Sequence, residues 1–119
     1  MNRKTLAPLP SYTPDWLDRL DGRTALAQEL RSRYARMTAD LGGEAGLSYM
    51  QRSLVNRALH LEYFLELEEH NLREGGTAAF DSGKWTQAVN SLQGVLSKLG
   101  LQRQSRDVSL NDFMQARRQ

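Results

Sequence analysis

Residues 48–72, SYMQRSLVNRALHLEYFLELEEHNL, decide the fold. Within them Met50, Leu54, Ala58, Leu61 and Leu65 recur at spacings of four and three, one stripe of a 3.6-residue period, and Val55, Leu59 and Leu67 form a second stripe. A helix with one apolar stripe rests on a surface. One with two has to be covered from two sides, by other helices of its own chain or by a second subunit. Ser48 followed by Gln51 is a capping box, in which the hydroxyl accepts from one free amide and the glutamine reaches back to another. The stretch therefore predicts a long central helix with the rest of the chain arranged around it.

Toward the N-terminus, residues 1–13 contain Pro8 and Pro10 and carry no period, which predicts an extended arm. Thr13-Pro14 reads as a helix start, with threonine as cap and proline at the first helical position, where its missing amide costs nothing. The predicted short helix, 14–20, carries Trp16, Leu17 and Leu20, with Trp16 as a core anchor, and stops at Asp21-Gly22. Residues 23–41 predict the next helix, since Leu26, Leu30, Tyr34, Met37 and Leu41 share one face, and Gly42-Gly43 ends it. Toward the C-terminus, Gly75-Gly76 marks a turn, Asp81 or Ser82 a cap, and residues 84–99 a helix whose Trp85, Val89, Leu92, Leu96 and Leu99 make an a/d seam. Two long helices joined in this way pack antiparallel as a hairpin. Gly100 ends the returning arm, and Leu101 is placed for the apolar contact that accompanies a glycine C-cap. Residues 101–119 predict a basic tail in which Ser109 and Asp112 cap a short helix bearing Leu110, Phe113 and Met114. The expected architecture is all-α: one helical domain over 14–100, built on an antiparallel hairpin with short terminal helices, and oligomeric.

Composition narrows the function classes. A chain of 119 residues holds a single core, and a hydrophobic fraction of 39% suggests a thin core or one shared with a partner. The absence of cysteine removes disulfides, thiolate nucleophiles and Cys-based zinc sites at once. No apolar run reaches the roughly 18 residues of a membrane helix, and the first residues, MNRKTLAPLPSY, lack a signal peptide's apolar core. A cytoplasmic protein without membrane contact is expected. The formal net charge is only +2, but it is unevenly spread. Six arginines face three acids between residues 23 and 57, six acids face Arg73 between 62 and 81, and four arginines face two aspartates beyond 101. Thirteen of the sixteen basic residues are arginine, whose fork suits phosphate, although codon bias accounts for an arginine excess as readily.

The central helix also carries its charges against its dipole, with Arg52 and Arg57 toward the N-terminal half and Glu66, Glu68 and Glu69 at the other end. A misplaced charge in a terminal turn costs about 0.3–1 kcal/mol. Opposite halves are therefore expected to meet, on a neighbouring helix or in an adjacent subunit. On the preceding helix Arg31 and Arg36 stand well apart around the axis, while Arg33 and Arg36 are close enough to grip one phosphate.

Catalytic motifs fail on inspection. In GGTAAFDSGKW the first Walker glycine would stand at Ala78, and Lys84 is followed by Trp85. His60 and His70 share one helix, and a helical di-iron site needs carboxylates and Glu-x-x-His pairs from several. A helix-turn-helix fits poorly, because the connection at 42–47 is too long and the following helix too apolar. No enzymatic activity, cofactor or metal is expected.

Together, LGGEAGLSYMQRSLVNRALHLEYFLELEE, the glycine turn and WTQAVNSLQGVLSKLGLQRQSRDVSLNDFMQARR resemble the small terminase subunits, and closely related packaging proteins, of tailed bacteriophages and prophages. Asn90, Leu92 and Leu96 on the returning arm, the Leu99-Gly100-Leu101 stop followed by Arg103 and Arg106, and the end segment with Leu110 and Phe113 carry the likeness, which covers about two thirds of the chain. The resemblance implies a non-catalytic DNA-packaging factor in the bacterial host's cytoplasm. Such a factor forms a homo-oligomeric ring, binds double-stranded DNA at the packaging-initiation site, and regulates the large terminase subunit's ATPase and nuclease. Mapped onto this chain, assembly falls to Leu54, Leu61, Leu65, Glu66, Glu69, Trp85, Val89, Leu92 and Leu96, and DNA contact to Arg31, Arg33, Arg36, Arg52, Arg57, Arg103 and Arg106. Phe113 and Arg117 would dock the large subunit. Two readings of other kinds remain open: a helical protein-interaction module that touches no DNA, and a small dimeric DNA-binding regulator.

Overall fold

The computed structural model describes residues 7–100. Three α-helices account for most of them, α1 (Ala25–Asp40), α2 (Tyr49–Gly75) and α3 (Ser82–Leu99), with single 3-10 turns at Glu44–Gly46 and Gly76–Ala78 and no strand among the described residues. The fold is all-α, as the periodicity predicted. The predicted C-terminal helix, with Arg103, Arg106, Phe113 and Arg117, lies outside the described residues.

Local chemistry sets each helix start. Thr24 Oγ1 accepts from the Ala27 amide at 3.1 Å and donates to the Asp21 carbonyl at 2.8 Å, so one hydroxyl both caps α1 and fastens the preceding corner. At α2 the capping box is complete: Gln51 N–H donates to Ser48 Oγ at 3.1 Å, and Ser48 N–H donates to Gln51 Oε1 at 2.8 Å. Asp81 caps α3, its Oδ1 accepting from the Lys84 amide at 3.0 Å. The helix ends are made by glycine. Gly43, at φ +105, turns back so that its amide bonds the Thr38 carbonyl at 2.8 Å, and Gly100 closes α3 at φ +86.

The helix bounds shift slightly from the sequence expectation. α2 runs three residues past Leu72, because its backbone ladder continues through polar Arg73 and Glu74 after the apolar pattern stops, and only Gly76, at φ +66, breaks it. The larger difference lies at 14–20, expected as a helix. Those residues form successive turns, with Trp16 and Leu20 amides bonding three residues back and Arg19 four back. Thr13 does not cap an amide; its hydroxyl donates to Asp15 Oδ1 at 2.8 Å. A seven-residue segment without a cap cannot offset the cost of nucleating a helix.

α2 is the central element, packed by α1 and by α3. Two apolar clusters meet on it. Trp16, Leu30, Leu59 and Tyr63 form the first, which receives Leu9, Tyr12 and Leu17 from the N-terminal segment. Leu47, Val55 and Leu99 form the second, and Tyr34 and Met37 of α1 touch both. Trp16 is completely buried and serves as the anchor expected of it. At the beginning of α3, Trp85 Nε1 donates to Glu69 near the end of α2 at 3.2 Å; at its far end, Leu99 packs on Val55 near the start of α2.

The arm is bound to this frame. Tyr63 Oη donates to the Ala7 carbonyl at 2.7 Å, and His60 Nε2 lies 2.9 Å from the Pro10 carbonyl oxygen. The His60 ring also stands edge-on to Tyr12 and Trp16, at centroid distances of 5.4 and 5.0 Å. Two residues from the apolar side of α2 thus hold the proline-bearing segment.

Candidate nucleic-acid interface

The five candidate arginines of the N-terminal half separate onto two faces with different electrostatics. Arg33 and Arg36 turn toward carboxylates. Arg33 Nη1 lies 2.8 Å from Glu66 and 3.3 Å from Glu62 of α2, and its Nε is 3.9 Å from Glu29, leaving the side chain 19% exposed. The hydrogen bond to Glu66 is the largest influence raising the Arg33 pKa, burial opposes it, and the charges of Glu66, Glu62 and Glu29 add to it. Arg36 Nη2 reaches Glu29 at 3.6 Å and remains 68% exposed. The two side chains do not present a joint phosphate grip, because the Arg33 guanidinium is already shared among three carboxylates.

The same cluster answers the charge order of α2. Glu66 meets Arg33 of its own chain, Glu69 accepts from Trp85 Nε1, and Glu68 Oε2 accepts from the Asp81 amide at 3.4 Å. Of the two routes open in the sequence, a neighbouring helix or an adjacent subunit, the neighbouring helix supplies a partner for Glu66. The acid-rich end of α2 binds α1 and the start of α3.

Arg31, Arg52 and Arg57 lie elsewhere. Arg31 and Arg52 form no ion pair with another described residue, and each lines a cavity along the junction of the N-terminal segment, α1 and α2. The cavity of about 170 Å³ beside Arg52 is walled by Tyr12, Pro14, Tyr34, Tyr49, Ser53 and Asn56, with no carboxylate among its lining residues. Next to it, a cavity of about 460 Å³ shares Pro14, Tyr34 and Asn56 and adds Arg31 together with Asp15, Asp18 and Glu44. Arg57 borders the first cavity from α2: its Nη1 donates to Ser53 Oγ, and its Cζ stands 5.0 Å from the centre of the Tyr12 ring, a cation–π contact.

Partners on the walls fix their electrostatics. Tyr34 Oη donates to Glu44 Oε1 at 3.2 Å, and burial, reinforced by Glu44, holds the phenol pKa above its ordinary value. The Thr13 hydroxyl bond is the main cause that holds the Asp15 carboxyl below the usual range; Arg19, 3.7 Å away, also lowers it. Tyr49 at the start of α2 lines the smaller cavity and is 75% exposed, so that wall carries aromatic as well as cationic surface. Sequence reading selected the arginines but missed the tyrosines. Tyr49 and Tyr12 belong to no apolar period, and only the bound arm brings Tyr12 to α2.

The assembly candidates divide by burial. Leu65 is buried within the chain, and Leu54 packs against the Leu47–Val55–Leu99 cluster. Leu61, Trp85, Val89, Leu92 and Leu96 are half-buried. Among the described residues no group of three or more His, Asp or Glu side chains is arranged to hold a metal ion, and no helix is long and apolar enough to cross a membrane.

Fold and groove define an all-helical protein with an arginine- and tyrosine-lined cleft. The chain matches no protein-family model, no curated protein and no solved structure.

Proposed function

We propose that the protein is a non-catalytic DNA-packaging factor of the small-terminase kind, acting in the cytoplasm of a bacterial host. In this reading α2 and α3 are an antiparallel hairpin through which like copies gather, the Arg31–Arg52–Arg57 side binds duplex DNA, and the assembled protein regulates the large terminase subunit.

The observation that carries the reading is the sorting of the arginines. Arg33 is balanced by carboxylates inside the chain, whereas Arg31 and Arg52 have no such partner among the described residues and Arg57 holds only a hydroxyl and a ring. Contacts at both ends of α3, Trp85 with Glu69 and Leu99 with Val55, support the hairpin. Support for assembly comes from α3, where only Ala88 and Leu99 are buried while Val89, Leu92 and Leu96 keep part of their surface open. A ring repeats a modest basic face once per subunit, which raises phosphate affinity without raising the charge of the single chain.

DNA retention measured across a salt series tests the reading. Binding to a duplex should fall linearly on a log–log plot, and each of Arg52→Gln and Arg57→Gln should flatten the slope by about 0.9 per phosphate contact removed. Arg33→Gln should leave the slope unchanged. If the chain retains no duplex at low salt, the DNA-packaging reading fails.

A further inference from the structure

The cleft beside Arg52 has a chemistry that a phosphate-binding face does not need. Arginines alone suffice for phosphate, yet this cleft is walled by Tyr12, Tyr34 and Tyr49, and the adjoining cavity sets Asp18 and Glu44 near Arg31. Carboxylates repel a phosphate backbone. They accept well from the exocyclic amino groups of bases, as glutamate and aspartate do from cytosine. Tyrosine rings offer faces on which bases of any sequence can stack. The shape agrees: the two cavities, of about 170 and 460 Å³, adjoin through Pro14, Tyr34 and Asn56 and together reach the size of a small-ligand site, and base edges inside a duplex cannot enter them without leaving the stack.

We infer that this double cavity takes unpaired nucleotides, with a base stacked on the exposed Tyr49, base amino groups toward Asp18 and Glu44, and the backbone phosphates on Arg52 and Arg31. The inference rests on the nucleic-acid reading above and adds to it a preference for single strands at this site. Tyr49 is the residue that tests it most cleanly, since at 75% exposure it contributes little to the core and its loss leaves the fold intact.

Anisotropy titrations of the full chain with one labelled mixed-sequence oligonucleotide, offered as single-stranded DNA, single-stranded RNA and duplex DNA at one salt concentration, measure the preference. Single strands should bind at least about fivefold more tightly than the duplex, and Tyr49→Leu should weaken single-strand binding by about fivefold or more while duplex binding is unchanged, the loss expected for one stacked base. Arg52→Gln should weaken both. The DNA and RNA arms identify which strand chemistry fits, and tight binding of either supports the inference. Equal binding of duplex and single strands, or single-strand binding that Tyr49→Leu does not change, overturns it while leaving the packaging reading standing. Binding of no nucleic acid overturns both.

Discussion

At the scale of single residues, Arg33 shows how a side chain suited to DNA can be engaged in holding the fold. Its pairs with Glu29, Glu62 and Glu66 join α1 to α2, and removing the cation would leave three carboxylates facing one another in a partly buried site. Arg33→Ala should therefore lower stability by about 1 kcal/mol in denaturant unfolding, the upper end of the range for ion pairs whose carboxylates, 37–46% exposed here, stay partly screened by water. Arg31→Ala, on an exposed side chain, should stay within about 0.5 kcal/mol. Equal effects of the two substitutions would show that the cluster does not brace the helices. Trp16 belongs to the same scale. It is fully buried against Leu30, Leu59 and Tyr63, and Trp16→Ala should cost about 3–5 kcal/mol in the same measurement. That is a large share of the roughly 5–15 kcal/mol that holds a domain folded. Sequence alone made Trp16 legible because a large aromatic in a thin apolar population has few places to go. It could not separate Arg33 from Arg31 and Arg36, because the separating fact is which α2 residues lie opposite, and that follows from the rotation of one helix against another.

Among the elements, legibility tracked local chemistry. Ser48 with Gln51 and the glycines after Leu41 and Leu99 announced helix ends, since capping is decided within a few residues. Ser48→Ala should cost about 1 kcal/mol, read as a lowered unfolding midpoint with helix content retained below it. The segment at 14–20 misled because Thr-Pro resembles a helix start while the threonine hydroxyl is drawn to Asp15. The arm at 1–13 was read as extended, but the docking of its described part, 7–13, was invisible: the prolines remove amides, and the carbonyls that bind Tyr63 and His60 are backbone atoms without a sequence signature. Tyr63 makes this docking sensitive to alkali. Burial, reinforced by Glu66 and opposed by Arg33, holds its phenol above its ordinary value near 10. A group whose pKa is raised by folding contributes fully below its unfolded value, and that contribution is lost as pH rises through the folded one. The thermal midpoint should therefore fall as pH passes upward through about 10. Tyr63→Phe should cost about 1 kcal/mol near neutrality by removing the bond to Ala7 and should make the alkaline decline shallower. An unchanged alkaline profile in Tyr63→Phe would assign the decline to Tyr34, whose phenol burial also raises.

For the whole molecule, the double apolar circumference of α2 was the fact read from sequence that organised everything else, and α1, the arm and α3 do cover much of it: Val55, Ala58, Leu59, Tyr63 and Leu65 are buried. What remains uncovered includes Tyr49, Met50 and Leu72 and part of the half-buried Leu61, Val89, Leu92 and Leu96. How much apolar surface a chain leaves open is a property of packing, so sequence could raise the expectation of assembly but not say which residues would be left open. The proposed assembly and the proposed DNA binding depend on each other, because a net charge of +2 per chain gives useful phosphate affinity only when the basic face is repeated. Sedimentation velocity of the full chain at micromolar concentration is the measurement that bears on this most directly. The account predicts a closed multi-subunit species that co-sediments with duplex DNA at low salt and releases it as salt rises; folded single chains that sediment apart from the DNA would contradict it.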